Sequence, residues 1–145
     1  MIDLAFRNLT RTTNYGPSFF LPLIKRTLEA VSLNAPTVEI SISLVGLQKM
    51  RALNQQYRGK DSPTDVISFP LGETPLKGYT VRTLGDIFIC PAYAAAKARE
   101  ERVDMQEKMA WLAVHGLLHL IGYDHERSRP EAAEMVRLEK IILKP

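Results

Sequence analysis

All three histidines of the chain lie within one eleven-residue stretch, HGLLHLIGYDH. The first two, His115 and His119, are four residues apart in an apolar segment, so on a helix they lie on one face with β-carbons about 5–6 Å apart. Gly122 is a suitable residue to end that helix, and the chain after it can bring His125 back toward the same point. This stretch therefore predicts a helix with two metal ligands, followed by a turn with the third.

Three neutral imidazoles leave one tetrahedral position of a zinc ion open, as in catalytic zinc sites. Structural zinc sites are usually closed by four ligands, often thiolates, whereas Cys90 is the single cysteine of this chain. The alternative is that His115 and His119 are buried core residues and that His125 lies on the surface. Because the spacing of the three histidines matches a known zinc arrangement, we expect one zinc ion per chain, although other divalent metals suit the same ligands.

Gly116 occupies the position where zinc peptidases of the HExxH type carry the glutamate that acts as general base. Peptide hydrolysis by that route would lack its base, which disfavours a zinc peptidase. A glycine inside a helix costs about 1 kcal/mol relative to alanine, so we expect the missing side chain to serve a purpose. Two explanations remain open: close packing of a neighbouring backbone, or room beside the metal for a bulky substrate.

A second polar cluster lies in YRGKDSPTDVISFP. Lys, Asp, Ser and Pro are ordinary loop residues, so one interpretation is a solvated connection between a helix and a strand. The other interpretation is that Arg58 and Lys60 contact phosphate, the arginine as a planar fork and the lysine as a point charge. Asp65 and Asp86 either accept the second ring hydrogen of ligand histidines or cap strand ends.

The remaining patterns predict an α+β fold, with a small mixed sheet of about four strands packed against about five helices. Period-two alternation in IDLAFRN and PTVEISISLVG indicates two strands, and LPLIKRTLEAVSL between them has helical spacing, with Pro22 in its first turn. We expect LQKMRALNQQY to form a helix with Leu47, Met50 and Tyr57 on one side, ended by Gly59.

Two further strands, VISF and GDIFIC, are expected next, connected by residues 70–82, and three helices follow them. The middle helix should begin after Asp104, with Glu107 completing a capping box, and the last should begin after Ser128, with Glu131 in the same role. The apolar residues expected to be buried on the last helix are Met135, Leu138 and Ile142.

Composition indicates a single soluble domain, because 145 residues with 46% hydrophobic content suffice for one core. The longest uncharged run, residues 109–123, is shorter than the roughly 20 residues that span a bilayer, and the N-terminus lacks the pattern of a signal peptide. Cys90, expected to be a core residue in a strand, has no intramolecular partner, which favours a reducing compartment. We therefore expect a cytoplasmic protein with no membrane association, whose net charge of +3 tolerates a polyanionic partner.

The stretch HGLLHLIGYDH resembles the signature of the YbeY family of bacterial metal-dependent endoribonucleases, and LNQQYRGKDSPTDVISFP and LGDIFI resemble that family's two other characteristic stretches. The dense match runs over residues 53–126. The resemblance implies that residues 1–145 form one zinc-bound endoribonuclease domain specific for single-stranded RNA, with no DNA substrate. It also implies a role in ribosomal RNA maturation, at the 3′ end of the small-subunit RNA, and in ribosome quality control, with the small subunit and its assembly factors as partners.

The same resemblance implies a catalytic role for Arg58, which would line the active cleft beside the metal. A zinc ion can polarise a phosphoryl oxygen and activate water, and Arg58 could stabilise the developing charge, while the nucleophile is either water or the 2′-hydroxyl of the RNA. Asp124 and Glu126 either assist proton transfer or hydrogen-bond locally. Besides a peptidase, a non-catalytic ribosome-assembly factor with a metal-stabilised fold remains an alternative. The resemblance implies that the metal ligands are His115, His119 and His125, and that these three residues are catalytic together with Arg58.

Overall fold

The computed structural model describes residues 1–71 and 80–144, and within them it contains a four-stranded mixed sheet and five helices. This α+β architecture is the predicted one. The elements, in chain order, are β1 (Ile2–Asn8), α1 (Pro17–Ala30), β2 (Thr37–Leu44), α2 (Leu47–Arg58), β3 (Val66–Pro70), β4 (Val81–Ile89), α3 (Pro91–Glu101), α4 (Met105–Ile121) and α5 (Arg129–Leu143).

The strand order in the sheet is β1-β2-β4-β3. Strands β1, β2 and β4 run parallel, which requires crossover connections such as α1, while β3 is antiparallel to β4 and forms one edge. At the far end of β3, Pro70 pairs with Gly85, whose φ of +135° and contact with the Phe69 carbonyl leave no room for a side chain. The backbone of β3 therefore lies very close to β4 at this end, and among the described residues the other edge of β3 pairs with no strand.

Helix α4 is the central helix of the fold, because it packs against β3 and β4 and also against α1, α3 and α5. Its apolar residues recur around most of its circumference, as expected for a helix that is covered on several sides. Leu112, Leu117 and Leu118 are almost completely buried there. The predicted stripe on α5 is confirmed, since Met135 and its two apolar partners along that helix are buried as well. No helix among residues 1–71 and 80–144 is both long and apolar enough to cross a membrane.

Helix α2 covers the opposite face of the sheet at β3 and β4, through a small cluster that includes Met50, Leu53 and Ile67. The predicted apolar side of this helix is only partly correct, because Leu47 and Tyr57 are 47% and 57% exposed. Both residues lie at the helix ends, where burial is incomplete. The end of the helix is correct, with Gly59 in the left-handed conformation at φ +71°.

Helix α1 begins at Pro17, earlier than predicted, so Pro22 lies inside the helix and not in its first turn. Pro17 fits the first turn because its fixed φ suits a helix and its missing N–H needs no partner there. Strand β4 is also longer than predicted and begins at Val81, within the segment expected to be a connection; residues 72–79 of that segment lie outside the described residues. Cys90 is buried as expected, but it follows β4 and precedes α3 instead of lying in the strand.

The two predicted helix caps have different outcomes. Ser128 precedes α5, and its Oγ accepts a hydrogen bond from the Glu131 N–H at 3.2 Å, which is one half of the predicted capping box. The returning hydrogen bond from the Ser128 N–H to the Glu131 carboxylate is not observed among the described residues. Asp104 precedes α4 at the predicted position, but its side chain makes no capping hydrogen bond, so the capping box with Glu107 is wrong. Helix α4 therefore begins after Asp104 without a capping hydrogen bond from that side chain.

Candidate metal centre

The three histidines converge at the end of α4. His115 and His119 project from its last two turns, and Gly122 then ends the helix with a φ of +117°, a conformation that reverses the chain direction. His125 follows in the turn, and one ligand atom from each histidine lies within 4.8 Å of the others. The predicted arrangement of two ligands on a helix and one after it is therefore what the structure shows.

The turn that carries His125 is held by its own backbone and side chains. The Asp124 carboxylate accepts a hydrogen bond from the Glu126 N–H at 2.8 Å and lies 3.5 Å from Nε of Arg127. The backbone hydrogen bond, followed by that guanidinium, lowers the pKa of Asp124 below its usual value. Of the two roles considered for Asp124, its contacts correspond to local hydrogen bonding.

The geometry of the imidazoles suits one small divalent ion. Two nitrogens that each lie about 2.0–2.1 Å from a tetrahedral zinc are separated by about 3.3 Å. The Nε2 atoms of His115 and His119 are 3.2 Å apart. Burial, and then the neighbouring His115 and His125, lower the pKa of His119. The neutral imidazole that this favours has the lone pair that a metal requires. These three residues can therefore hold a metal ion, and nitrogen ligands of this kind suit zinc and several transition metals.

Glu139 of α5 is the residue of this site that the sequence analysis missed. It is 7% exposed, its Oε1 lies 3.0 Å from Nδ1 of His115, and its Oε2 accepts a hydrogen bond of 2.6 Å from Nε1 of Trp111. A signal was present in the sequence. Glu139 lies four residues after Met135 and three before Ile142, so it is an acidic residue on an otherwise apolar and buried helix stripe.

Of the two roles considered for Asp65 and Asp86, a contact with the second ring nitrogen of His115 is not observed, because Glu139 lies there. Asp65 lies 3.9 Å from Nζ of Lys108 on α4. Asp86 precedes Ile87, which faces α4 near Gly116, so the alternation of side chains along a strand directs Asp86 to the opposite face of the sheet. The carboxylate that contacts Nδ1 of His115 belongs to α5, because α5 packs beside that ring and the strand ends do not.

An open cleft of about 740 Å³ lies between β3, the end of α4 and the turn after it, and all three histidines line it. Arg58 lines the same cleft from the end of α2, as predicted, and no carboxylate lies within 4.0 Å of it among the described residues. Arg127 also lines the cleft but is close to Asp124 and Glu131. Lys60 is exposed on the turn after α2, outside the residues that line the cleft.

Gly116 faces the sheet, so close packing explains its missing side chain and room for a substrate does not, but the close neighbours are side chains and not the expected backbone. A β-carbon there would lie 3.0 Å from Oγ of Ser68, 3.1 Å from Cγ2 of Ile87 and 3.3 Å from Cγ2 of Val66. The Ser68 hydroxyl also donates a 2.9 Å hydrogen bond to the Gly116 carbonyl. The glycine therefore permits close packing against side chains of β3 and β4, and a glutamate at this position would point into that interface.

This chain is similar to known proteins over most of its length. The family model described as Endoribonuclease YbeY matches residues 8–145. A relative named Endoribonuclease YbeY from Persephonella marina is 42% identical over 140 residues, covering 97% of this chain and 86% of its own length. One of the same name from Sulfurihydrogenibium sp. is 44% identical over 124 residues, covering 86% of this chain and 79% of its own.

A protein from Thermotoga maritima with a known solution structure superposes with a TM-score of 0.65 at 30% sequence identity, covering 97% of this chain and 87% of that one. The likeness thus includes the fold as well as the sequence. Because the family model extends over nearly the whole chain and includes every histidine of the candidate metal centre, the chain belongs to the YbeY family.

Proposed function

We propose that this protein is a zinc-dependent endoribonuclease that cleaves single-stranded RNA, with residues 1–145 acting as one catalytic domain. The observation that carries the proposal is the convergence of three imidazoles and Arg58 on one open cleft. The relatives named as endoribonucleases support the reaction class. The coordinating residues are His115, His119 and His125.

Each group in the cleft has a defined task in this proposal. The metal, when bound, supplies Lewis-acid polarisation of a phosphoryl oxygen. Arg58 stabilises the negative charge that develops on the phosphoryl group, and its planar guanidinium can donate two hydrogen bonds to two phosphate oxygens at once. Because no carboxylate neutralises Arg58 among the described residues, its charge is available to the substrate. The attacking oxygen comes from water or from the 2′-hydroxyl of the RNA.

The biological substrate in this proposal is ribosomal RNA. The supporting observation is the family membership, and a net charge of +3 is compatible with a polyanionic ligand. The reaction would take place in the cytoplasm, at the 3′ end of the small-subunit RNA and in ribosome quality control. Its partners would be the small subunit and the factors that assemble it.

Single-turnover cleavage of an unstructured RNA by metal-loaded protein in excess tests the proposal. Arg58→Ala should keep the metal and the fold but lower the cleavage rate about 100- to 1,000-fold, the scale for removal of one charge-stabilising donor. Arg58→Lys should recover part of the rate, since a point charge does not reproduce the bidentate contact. Lys60→Ala is the matched control, because it removes an exposed cation outside the cleft and should leave the rate unchanged.

Two outcomes would contradict the proposal. An unchanged rate in Arg58→Ala would remove this residue from the mechanism. Absence of RNA cleavage by the metal-loaded, unmodified protein would favour a non-catalytic assembly factor. A zinc peptidase is tested separately with a broad library of unstructured peptides, which we expect to remain uncleaved because Gly116 places no carboxylate beside the metal ligands.

A further inference from the structure

The metal centre depends on more than the helix that carries its ligands. His115 and His119 belong to α4 and His125 to the turn after it, but the buried carboxylate behind His115 belongs to α5. Both oxygens of Glu139 are engaged, one with the imidazole at 3.0 Å and one with the indole of Trp111 at 2.6 Å. With only 7% of the residue exposed, this carboxylate has little contact with water. Its orientation is therefore set by these two partners.

The contact determines which nitrogen of His115 carries the hydrogen. A carboxylate accepts hydrogen bonds, and the indole N–H of Trp111 can only donate. Nδ1 of His115 must therefore donate to Glu139, and in a neutral ring this leaves the lone pair on Nε2. That Nε2 is the atom 3.2 Å from Nε2 of His119. The lone pair of His115 is thus directed to the point where the ligand atoms meet.

The rotation of the His115 ring is restricted by stacking. The rings of Trp111 and His115 have centroids 4.4 Å apart and an interplanar angle of 20°. Nζ of Lys108 lies 4.8 Å from the Trp111 ring centroid and 3.0 Å from a carboxylate oxygen of Glu101. These contacts hold the indole in place, so the imidazole is confined by a ring on one side and by a hydrogen bond at Nδ1.

We infer that Glu139 is a positioning residue for the metal centre. It holds His115 as the Nδ1–H tautomer, so that Nε2 of His115 is directed to the metal ion. The metal centre then requires α5 as well as α4. This inference rests on the metal centre of the proposed function. Loss of such an outer partner of a metal ligand typically lowers metal affinity about 10- to 100-fold, and we expect this range here.

Glu139→Gln is the most informative variant because it keeps the size of the side chain and changes only its hydrogen-bonding groups. Glutamine offers one acceptor and one NH₂ donor, whereas His115 and Trp111 both present donors. If the amide oxygen accepts from the indole, the NH₂ faces Nδ1 of His115 and favours the Nε2–H tautomer, which has no lone pair for the metal. Adding Trp111→Phe removes the competing indole donor, so the amide oxygen can turn to His115 and restore the required tautomer.

The experiment measures zinc affinity at one pH by competition with a chromophoric chelator, for the unmodified protein and the variants. We expect about one ion per chain in the unmodified protein, a 10- to 100-fold weaker affinity in Glu139→Gln, and partial recovery in the double variant with Trp111→Phe. Glu134→Gln is the matched control, because Glu134 lies on α5 but is exposed and pairs with Arg137. Its zinc affinity should equal that of the unmodified protein.

A second readout does not involve the metal. In nitrogen-15 NMR of the metal-free unmodified protein, His115 should carry its hydrogen on Nδ1. In metal-free Glu139→Gln, it should carry its hydrogen on Nε2. Equal zinc affinity and the same His115 tautomer in both proteins would overturn the inference about Glu139 and leave the proposed function standing. If the unmodified protein binds no zinc, the metal centre of the proposed function fails and the inference fails with it. If Glu139→Gln does not fold, the NMR of the metal-free unmodified protein decides, because hydrogen on Nε2 of His115 would overturn the inference.

Discussion

Replacement of Gly116 by alanine tests whether this helix residue is a glycine because of packing against the sheet. Two effects of this replacement change the free energy of unfolding in opposite directions. Alanine in a helix interior is favoured over glycine by about 1 kcal/mol, which would stabilise the fold. The new methyl group, however, would lie 3.0–3.3 Å from atoms of Ser68, Ile87 and Val66, closer than the 3.5–4.0 Å at which carbon atoms pack best.

The three neighbours cannot all move away cheaply. Val66 and Ile87 belong to the paired strands β3 and β4, and Ser68 would lose its 2.9 Å hydrogen bond to the Gly116 carbonyl if its hydroxyl rotated. Overpacking of this kind costs about 1–3 kcal/mol, and the hydrogen bond contributes about 0.5–1.5 kcal/mol. After subtraction of the helix preference of about 1 kcal/mol, we expect Gly116→Ala to lower the free energy of unfolding by about 0.5–3.5 kcal/mol.

Urea unfolding followed by circular dichroism measures this change, and the midpoint of thermal unfolding should fall by roughly 2–4 °C per kcal/mol for a chain of this size. Ser68→Ala provides the second arm of a double-mutant cycle, since it removes the closest atom. Gly116→Ala should then cost less in the Ser68→Ala background than in the unmodified protein. An increase in stability of about 1 kcal/mol in Gly116→Ala would mean that helix preference dominates, and would refute the packing explanation.

Three further outcomes are expected. His119→Ala should lose most of the bound metal while circular dichroism shows a largely intact fold, and full metal occupancy by elemental analysis would exclude the three-ligand site. Ser128→Ala should lower the free energy of unfolding by about 1 kcal/mol, whereas Asp104→Ala, which removes no capping hydrogen bond, should cost less than half of that; equal losses would contradict the capping geometry. Burial raises the pKa of the Cys90 thiol, so a thiol reagent should label it slowly in the native protein and quickly in denaturant, and fast native labelling would contradict its burial.

The features predicted correctly from the sequence depend on neighbours along the chain. Two histidines four residues apart share a helix face whatever surrounds the helix, and Gly122 can adopt a left-handed conformation because it has no side chain. The strand alternation of β1 and β2 and the Ser128 cap are also local patterns. For this reason the α+β class, most elements and the convergence of the three histidines could be inferred before the structure.

The features that only the tertiary structure decided join residues far apart in the chain. Asp65 and Asp86 were candidate partners of the three histidines from their place in the sequence, but helix α5 packs beside α4 and places Glu139, 24 residues after His115, at that ring. Likewise, the Gly116 carbonyl accepts a hydrogen bond from Ser68, which lies 48 residues earlier in the chain, because α4 packs on β3. Spacing along a chain does not specify which helix packs beside a side chain or at what distance. The three histidines of the candidate metal centre were therefore visible in the sequence, whereas the carboxylate that contacts His115 was decided by the packing of α5 on α4.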